Sequence, residues 1–355
     1  MSNITILGAG AMGSALTMPL ATNHNNVKIW GTEFDDDIIA ALKAGEDHPK
    51  HNFPLPKSVQ AYGKDELAAA MKDAEIVIMA IASDGLGEIF KRAVPCLKPG
   101  MIVGSVTKGF DYNAQGKIVL LPEILQERLS PDLKDKISFV FVGGPCKAIE
   151  VLWEVPTSVT YASTDIEAAK KMQQAAMTAV YRVEVTTDVI STELCAAMKN
   201  AYSVGLGLAE GFAKRAGRNG YLHKNTKGAL FTFAIAELAT LATALGGTIA
   251  PVYGLPGAGD LELTGEAGRN RTLGEVIGGG LTASQAIAKM KAEDITVEGY
   301  PAIKFGYLAA KTLADDGKLD MSRLPLLKGL YNILYEDAAA YDRVEKLLQD
   351  CTGAY

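Results

Sequence analysis

The sequence predicts an α/β domain with a mostly parallel, doubly wound sheet, followed by an all-α domain. Short apolar runs alternate with helix-like segments over the first half, which is typical of parallel sheets. The second half, after residue 188, shows helical patterning only. The chain has 355 residues, which is more than one ordinary core usually holds. We therefore predict two domains, at residues 1–188 and 189–355.

The strands of the first domain are predicted from apolar runs that turn-forming residues separate. The run at 75–81 is almost entirely apolar, as expected of a parallel strand buried on both faces. The segment 45–58 is rich in proline and polar residues, which favours a loop. The predicted strands cover residues 4–7, 27–31, 75–81, 101–106, 138–142, 156–162 and 181–185.

The second domain is predicted to contain helices only. A long alanine- and glycine-rich helix covers residues 191 to about 213, and others cover 227–245 and a segment starting at 302. Three glycines at 278–280 end one helix, and Thr282 with Gln285 forms a capping box that starts the next. The amphipathic segment 324–335 predicts a closing helix that serves as core or as a dimer contact.

A glycine motif directly follows the first strand. Gly8, Gly10 and Gly13, with Ala11 and Met12 between the last two, give Gly-x-Gly-x-x-Gly before a helix at 14–21. The first glycine permits a tight turn, the second permits a pyrophosphate to approach the backbone, and the third permits close helix packing. The strand–turn–helix setting predicts a dinucleotide site at the helix N-terminus. The alternative is an ordinary tight turn.

An acidic residue follows the second strand at the expected distance. Glu33 lies about 20 residues after the last glycine, where a carboxylate can bind both ribose hydroxyls and repel a 2′-phosphate. Neither Gly31 nor Thr32 is basic, so NAD is predicted as the cofactor in preference to NADP. The alternative is that Glu33 only begins a solvated acidic run at 35–37.

Charge and hydropathy exclude two classes of partner. The net charge of −6 argues against nucleic acid, since a phosphate backbone requires a basic face. The longest uncharged run, residues 238–259, is interrupted by glycines and prolines and predicts no membrane span. The chain enters its first strand without a charged leader or signal hydrophobe, which favours a cytoplasmic protein.

Cysteine and histidine spacing argues against a metal site. The cysteines have no Cys-x-x-Cys pair, which indicates reduced intracellular thiols rather than disulfides or zinc; they are Cys96, Cys146, Cys195 and Cys351. His48 and His51 have the spacing of helix ligands, but they lie in the predicted loop with Pro49 between them. No metal is therefore expected.

The stretch 191–200 opens the second domain and carries the lysine that we consider catalytic. At helical spacing Thr192, Cys195 and Lys199 share one face, and Asn200 lies beside it. The neighbours are small and apolar, so we expect Lys199 to project into a cleft near the domain junction. The alternative is a solvated surface lysine.

A dinucleotide domain joined to a helical domain suggests hydride transfer, and alcohol oxidation also needs a base. None of the four histidines lies at a convincing strand end or helix cleft. Lysine can replace histidine if desolvation or a second cation lowers its pKa. We therefore propose Lys199 together with Lys108, which follows the strand at 101–106. For Lys108 the alternative is a surface lysine at a strand end.

Further polar residues suit a substrate. Arg269 and Asn270 lie in a glycine-flanked turn, where a forked cation and an amide suit a phosphate or carboxylate. Asp260 can hold Lys199 or a substrate hydroxyl. The alternative for Asp260 and Arg269 is a surface salt bridge.

Taken together, the motifs closely resemble the NAD-dependent glycerol-3-phosphate dehydrogenase family over nearly the whole chain. The resemblance is carried by the glycine motif at 8–13, Thr107-Lys108-Gly109, Gly144-Pro145 with Ala148 and Glu150, and the stretches 193–200, 257–261, 269–270 and 297–299. It implies a Rossmann domain followed by an all-α domain of the 6-phosphogluconate dehydrogenase C-terminal type. It also implies a cytoplasmic oxidoreductase of glycerophospholipid metabolism that forms a homodimer and acts on a small phosphorylated substrate.

The resemblance also implies roles for individual residues. Lys199 is the proton donor or acceptor, and Lys108 binds both substrate and cofactor. Asp260 completes the catalytic set with these two lysines and, like Lys199, also belongs to the substrate site. The remaining implied substrate site comprises Gly144, Cys146, Thr264, Gly268, Arg269 and Asn270. The implied cofactor site comprises Gly8, Gly10, Ala11, Met12, Gly13, Glu33, Lys108, Ala148, Arg269, Thr296 and Glu298.

The sequence departs from the family pattern in ways that bear on the substrate. Cys146 and Lys147 replace the usual Ser-Phe pair, and Gly268 stands where a serine is common. The spacing from Asp260 to Arg269 resembles eukaryotic and archaeal forms. Another phosphorylated polyol or hydroxy acid therefore stays open as substrate, and a dinucleotide-sensing protein without turnover is the non-enzyme alternative.

Overall fold

The computed structural model describes residues 1–217 and 222–350, so Cys351 lies outside the described residues. The chain forms two compact units. The first comprises Met1–Asn113 and Leu120–Glu193, and the second comprises Ala114–Val119 and the chain from Leu194 onward. The predicted boundary after residue 188 lies shortly before this division, at the start of the same long helix.

The first unit alternates strands and helices, as the apolar runs predict. In chain order, the helices and strands up to residue 186 are β1 (Asn3–Leu7), α1 (Ala11–Thr22), β2 (Asn26–Trp30), α2 (Asp36–Ala44), β3 (Gln60–Tyr62), α3 (Leu67–Met71), β4 (Ile76–Met79), α4 (Ser83–Ala93), β5 (Ile102–Ser105), β6 (Phe110–Tyr112), β7 (Ile118–Leu120), α5 (Leu121–Glu127), β8 (Ser138–Gly143), α6 (Ala148–Leu152), β9 (Thr157–Ala162), α7 (Ile166–Ala176) and β10 (Tyr181–Thr186). All belong to the first unit except β7, of which Ile118 and Val119 belong to the second. The helix α8 (Val189–Arg215) follows and crosses the division between the units.

Eight strands form one sheet in the order β10-β9-β8-β5-β4-β1-β2-β3. Every neighbouring pair is parallel except β8 with β9, which is antiparallel. The predicted doubly wound, mostly parallel sheet is therefore confirmed. The order reverses beside β1, and such a switch point is where α/β sheets bind ligands, outside the carboxyl ends of the strands.

Alternation along β4 explains why its sequence is apolar throughout. Ile76 and Ile78 belong to one hydrophobic cluster, whereas Val77 and Met79 belong to another. Successive side chains of a strand point to opposite faces, so both faces of this strand are covered. The edge strand β3 is half-buried and polar at its first residue, Gln60, which is why periodicity alone did not predict it.

After α8, the described part of the second unit contains helices and no strand, as predicted. Its helices after α8 are α9 (Lys224–Ala244), α10 (Ala250–Tyr253), α11 (Asp260–Glu266), α12 (Arg269–Gly278), α13 (Ala283–Ala292), α14 (Gly299–Asp315), α15 (Pro325–Tyr335) and α16 (Ala340–Asp350). The capping box is present, because Thr282 Oγ1 accepts from the Gln285 amide at 3.2 Å and Gln285 Oε1 accepts from the Thr282 amide at 3.0 Å.

One helix in the described ranges, α9, is long and apolar enough to cross a membrane by length and composition alone. Its buried Glu237 accepts hydrogen bonds from Tyr202 Oη at 2.9 Å and from the amides of Leu326 and Leu327 at 2.5 and 2.9 Å. These hydrogen bonds hold α9 against α8 and the first turn of α15 within the second unit.

Glycines bring α8 and α12 into backbone contact. A methyl group on Gly207 would overlap the carbonyl oxygen of Arg271, and one on Gly274 would overlap that of Val204. Gly211 and Gly278 repeat the arrangement one turn further along the two helices. Because packed backbones have no room to adjust, this contact fixes the position of α12 relative to α8.

We expect Gly207→Ala to lower the free energy of unfolding by about 1–3 kcal/mol, since overpacking forces the backbones apart. The matched control is Gly228→Ala in α9, where an added methyl group meets nothing within 4 Å. The control should be stabilised by roughly 0.5–1 kcal/mol through helix propensity. Urea denaturation measures both changes, and equal stabilities for the two variants would contradict the packing account.

Candidate functional site

The glycine turn in the first unit is shaped as its sequence predicts. Gly8 has φ +107°, and a methyl group there would lie 2.5 Å from the Ala80 carbonyl oxygen. A methyl group on Gly13 would overlap the carbonyl oxygen of Gly8, so α1 packs closely on the turn. A methyl group on Gly10 would meet nothing within 4 Å. The turn therefore leaves open space beside the N-terminal amides of α1, where an anion is favoured.

Asp35 ties the glycine turn to the end of β2. Its Oδ2 accepts hydrogen bonds from the amide and hydroxyl of Thr32, both at 2.9 Å, and from the Ala9 amide at 3.4 Å. Asp35 is buried, whereas Asp36 and Asp37 are exposed. The interpretation of 35–37 as a solvated run is therefore wrong for Asp35, because its buried carboxylate accepts hydrogen bonds from the glycine turn and the end of β2.

Glu33 is exposed and follows β2, as the sequence predicts, and its carboxylate is paired with an arginine. Arg92, from α4, donates from Nη1 to Glu33 Oε2 at 3.1 Å, and its guanidinium lies 5.1 Å from the centre of the Trp30 ring. A hydrogen bond from its own backbone amide and the Arg92 contact lower the pKa of Glu33. The prediction of NAD rested on the lack of a basic residue next to Glu33 in sequence; the fold brings one there.

Two histidines hold the loop 45–58 against the glycine turn. His48 Nε2 lies 3.2 Å from the Ala9 carbonyl oxygen and His51 Nε2 lies 3.1 Å from that of Ala11, with 4.7 Å between the ring centres. Burial lowers the pKa of His48. Residues 1–217 and 222–350 contain no group of three or more His, Cys, Asp or Glu residues placed to hold a metal ion.

Other predicted site residues of the first unit follow its strands. Lys108 comes after β5 and precedes Gly109, which has φ +141°, while Gly144 follows β8 with φ +115°. Cys146 is partly buried and packs against the core cluster that includes Val140. Ala148 is the first residue of the short helix α6. Lys147, which stands where the family has an apolar residue, lies 3.9 Å from the carboxylate of Glu150 on the surface.

Glu193, on α8, is a buried carboxyl group that no sequence pattern marks as functional. It is fully buried, and neither of its oxygens has a hydrogen-bond partner in the described part of the chain. Burial raises the pKa of Glu193 to about 8, and the charge of Lys108 opposes that rise. An unsatisfied buried carboxyl group is rare in native proteins, so it is a candidate for a functional role near Lys108.

Lys199 and Asp260 form a buried ion pair in the second unit. Lys199 Nζ lies 2.5 Å from Asp260 Oδ1, and the two side chains are 12% and 1% exposed. Asp260 begins α11 directly after the π-helical segment Leu255–Gly259, in which a methyl group on Gly257 would overlap the backbone of Val252. Thr264 Oγ1 donates to the Asp260 carbonyl oxygen at 2.6 Å and lies 3.5 Å from Oδ1.

A second polar group surrounds the start of α12. Asn270 Nδ2 donates to Asn200 Oδ1 at 2.9 Å, and Asn270 Oδ1 accepts from the Gly299 amide at 2.8 Å. Glu298 accepts from Arg269 Nη2 at 3.1 Å and from Asn200 Nδ2 at 3.4 Å. Because Asn200 adjoins Lys199 in α8, this network and the ion pair share one helix.

The accessibility of these groups differs. Arg269 and Glu298 are half exposed, at 55% and 51%, so the guanidinium can reach a ligand. Gly268 precedes α12 with φ +126°, a backbone conformation that favours glycine. Thr296 is exposed on the segment before Glu298.

We expect Glu193→Gln to remove a pH dependence of stability. The folded-state pKa of about 8 lies above the ordinary value of 4.5, so the folded protein holds a proton between these pH values that the unfolded chain has released. The wild-type free energy of unfolding should therefore fall by up to about 1.4 kcal/mol per pH unit through this group as pH rises. Urea denaturation from pH 5 to pH 8 should show the stability of the variant rising relative to that of wild type. The same pH dependence of stability in both proteins would contradict the raised pKa of Glu193.

Comparison with known proteins agrees with this arrangement. Residues 3–169 match the model of the NAD-dependent glycerol-3-phosphate dehydrogenase N-terminus, and residues 188–345 match that of the C-terminus. The chain is 37% identical to the NADP(+)-dependent glycerol-3-phosphate dehydrogenase of Archaeoglobus fulgidus, over 94% of this chain and 95% of that protein. It is 31% identical to the glycerol-3-phosphate dehydrogenase [NAD(P)+] of Bacillus pumilus, over 98% and 94%.

A solved structure extends the likeness to the fold. The crystal structure of glycerol-3-phosphate dehydrogenase from Coxiella burnetii has a TM-score of 0.81 and 27% identity, covering 98% of this chain and 99% of that one. The resemblance seen in the sequence motifs is confirmed over both units. The chain therefore belongs to the NAD-dependent glycerol-3-phosphate dehydrogenase family.

Proposed function

We propose that this chain catalyses the reversible interconversion of dihydroxyacetone phosphate and sn-glycerol 3-phosphate with a nicotinamide dinucleotide. The buried Lys199–Asp260 ion pair is the observation that carries the proposal, because it presents an oriented ammonium group without a histidine. The names of the Archaeoglobus and Bacillus relatives support the same substrate.

The first unit suits the dinucleotide. The amides at the start of α1 and the open space at Gly10 suit its pyrophosphate, and Glu33 can accept from the ribose hydroxyls, which favours NAD. When bound, the nicotinamide supplies or accepts the hydride. His48 and His51 contribute by holding the loop 45–58 on the turn.

Lys199 is the proposed proton donor in the direction of ketone reduction. As negative charge develops on the carbonyl oxygen, its ammonium group donates a proton there, and it takes the proton back in the oxidation. Asp260 orients the ammonium group through the 2.5 Å contact, and Thr264 supports Asp260. Both acid and base functions therefore belong to one side chain.

The substrate phosphate is assigned to the polar group at the start of α12. Arg269 offers a guanidinium group with forked donors. Asn270 offers a side-chain amide whose orientation is fixed by hydrogen bonds with Asn200 and with the Gly299 amide. Lys108 is proposed to stabilise negative charge on the substrate and to contact the cofactor. We also propose that the protein is a cytoplasmic homodimer, as the resemblance implies.

We expect Lys199→Met to reduce kcat roughly 10²–10⁴-fold, since general acid–base catalysis contributes about that much. Binding of NADH, followed by its fluorescence, should change little. Lys311→Met, an exposed lysine of α14, is the matched control and should keep full turnover. Near-normal turnover of the Lys199 variant would remove this residue from the mechanism.

Steady-state kinetics with a panel of carbonyl substrates tests the substrate assignment. We expect dihydroxyacetone phosphate to have the highest kcat/KM with either reduced cofactor, because one phosphate group matches the single Arg269–Asn270 pair. Faster turnover of a longer sugar phosphate or of a keto acid would favour the alternative substrates. Cofactor binding without turnover of any substrate would indicate a sensing protein instead.

A further inference from the structure

An arginine that is distant in sequence lies beside the end of β2. Arg92 lies in the last turn of α4, with its guanidinium over the ring of Trp30, which is fully buried. Its Nη1 lies 3.1 Å from Glu33 Oε2. The Arg92 side chain is 32% exposed, so the Trp30 ring covers it only in part. Guanidinium groups stack on aromatic rings and keep their remaining donors available.

The other charged residues in this region are already engaged. Lys64 contacts Asp36 at 2.7 Å, and Asp35 is turned inward onto Thr32 and Ala9. Lys64 also lies close enough to Glu33 for its charge to lower the carboxyl pKa. Glu33 is therefore not an isolated negative charge: two cations compensate it, and one of them contacts it directly.

This arrangement has a consequence for a phosphate on the adenosine ribose. An acid after the second strand binds the ribose hydroxyls of NAD and repels a 2′-phosphate, whereas a nearby arginine accommodates that phosphate. Here both residues are present and bonded to each other. An ion pair between exposed groups is weak, so a phosphate dianion can take the place of Glu33 on the guanidinium. Glu33 is half exposed and can rotate into solvent.

We infer that Arg92 is the specificity-determining residue that accepts the 2′-phosphate of NADP, and that the Arg92–Glu33 pair sets the choice between NAD and NADP. With NAD, Glu33 accepts from the ribose and stays paired with Arg92. With NADP, Glu33 leaves and Arg92 binds the phosphate through two of its N–H groups. This inference rests on the dinucleotide site of the proposed function and predicts use of both cofactors.

The test measures the binding of 2′,5′-ADP and 5′-AMP by calorimetry, which requires no turnover. Arg92→Gln should weaken 2′,5′-ADP binding roughly tenfold or more, as expected for losing a charge-assisted contact, and change 5′-AMP binding little. Glu33→Gln should strengthen 2′,5′-ADP binding. Lys91→Gln, the exposed neighbour in the same helix, makes the same change of charge and should alter neither affinity.

Arg92→Lys separates a positioning role from a structural one. Lysine keeps the positive charge but lacks the forked donors of the guanidinium group. We therefore expect its affinity for 2′,5′-ADP to lie between the affinities of wild type and Arg92→Gln, with unchanged melting temperatures. In kinetics, Arg92→Gln should raise KM for NADPH and leave kcat, and the KM for NADH, near wild type.

Two results would overturn the inference. One is equal weakening of both nucleotides by Arg92→Gln, which would make Arg92 only a structural link between α4 and β2. The other is unchanged 2′,5′-ADP affinity in that variant while 5′-AMP still binds. If wild type binds neither nucleotide, both the proposed dinucleotide site and this inference are wrong. If wild type binds both nucleotides but does not reduce dihydroxyacetone phosphate, only the proposed substrate is wrong.

Discussion

The contact between Lys199 and Asp260 is the interaction on which the second unit depends. Both side chains are largely withdrawn from solvent, at 12% and 1% exposure, and removing one partner of a buried pair of this kind costs about 3–5 kcal/mol. The fold supplies each partner from a constrained element. Lys199 lies on α8, whose glycines contact the backbone of α12, and Asp260 follows a turn that only glycine permits at position 257. The geometry of this ion pair therefore follows from the backbone packing of the elements that carry it.

Three buried carboxyl groups of this protein are treated in three different ways. Asp260 is paired with an ammonium group, and Glu237 accepts three hydrogen bonds that connect α9 with α8 and α15. Glu193 has neither kind of partner within the described residues. The first arrangement suits proton transfer and the second suits structure. Burial without a partner makes Glu193 destabilising at neutral pH. Unsatisfied or strongly perturbed buried groups of this kind concentrate at functional sites, and Glu193 also feels the charge of Lys108.

Local sequence information predicted most of the fold and selected the two residues that form the buried ion pair. The glycine turn, the buried strand β4 and the Thr282 capping box depend on residues close in sequence, so their patterns were sufficient. The contact of Asp260 with Lys199 is one of the two roles expected for that carboxylate, the other being to bind a substrate hydroxyl. Arg92 could not be found in this way, since 59 positions separate it from Glu33. Likewise nothing in the run at 35–37 distinguishes the buried Asp35 from its solvated neighbours.

The most direct test of the account is a double-mutant cycle in kcat for the reduction of dihydroxyacetone phosphate. The variants are Lys199→Met, Asp260→Asn and the two combined, with folding checked by circular dichroism. If Asp260 acts by orienting the ammonium group, the combined variant should be no slower than Lys199→Met alone, because residues that act as a unit are strongly non-additive. Losses that multiply in the combined variant would show that the two residues act independently, and would contradict the proposed proton donor and its partner.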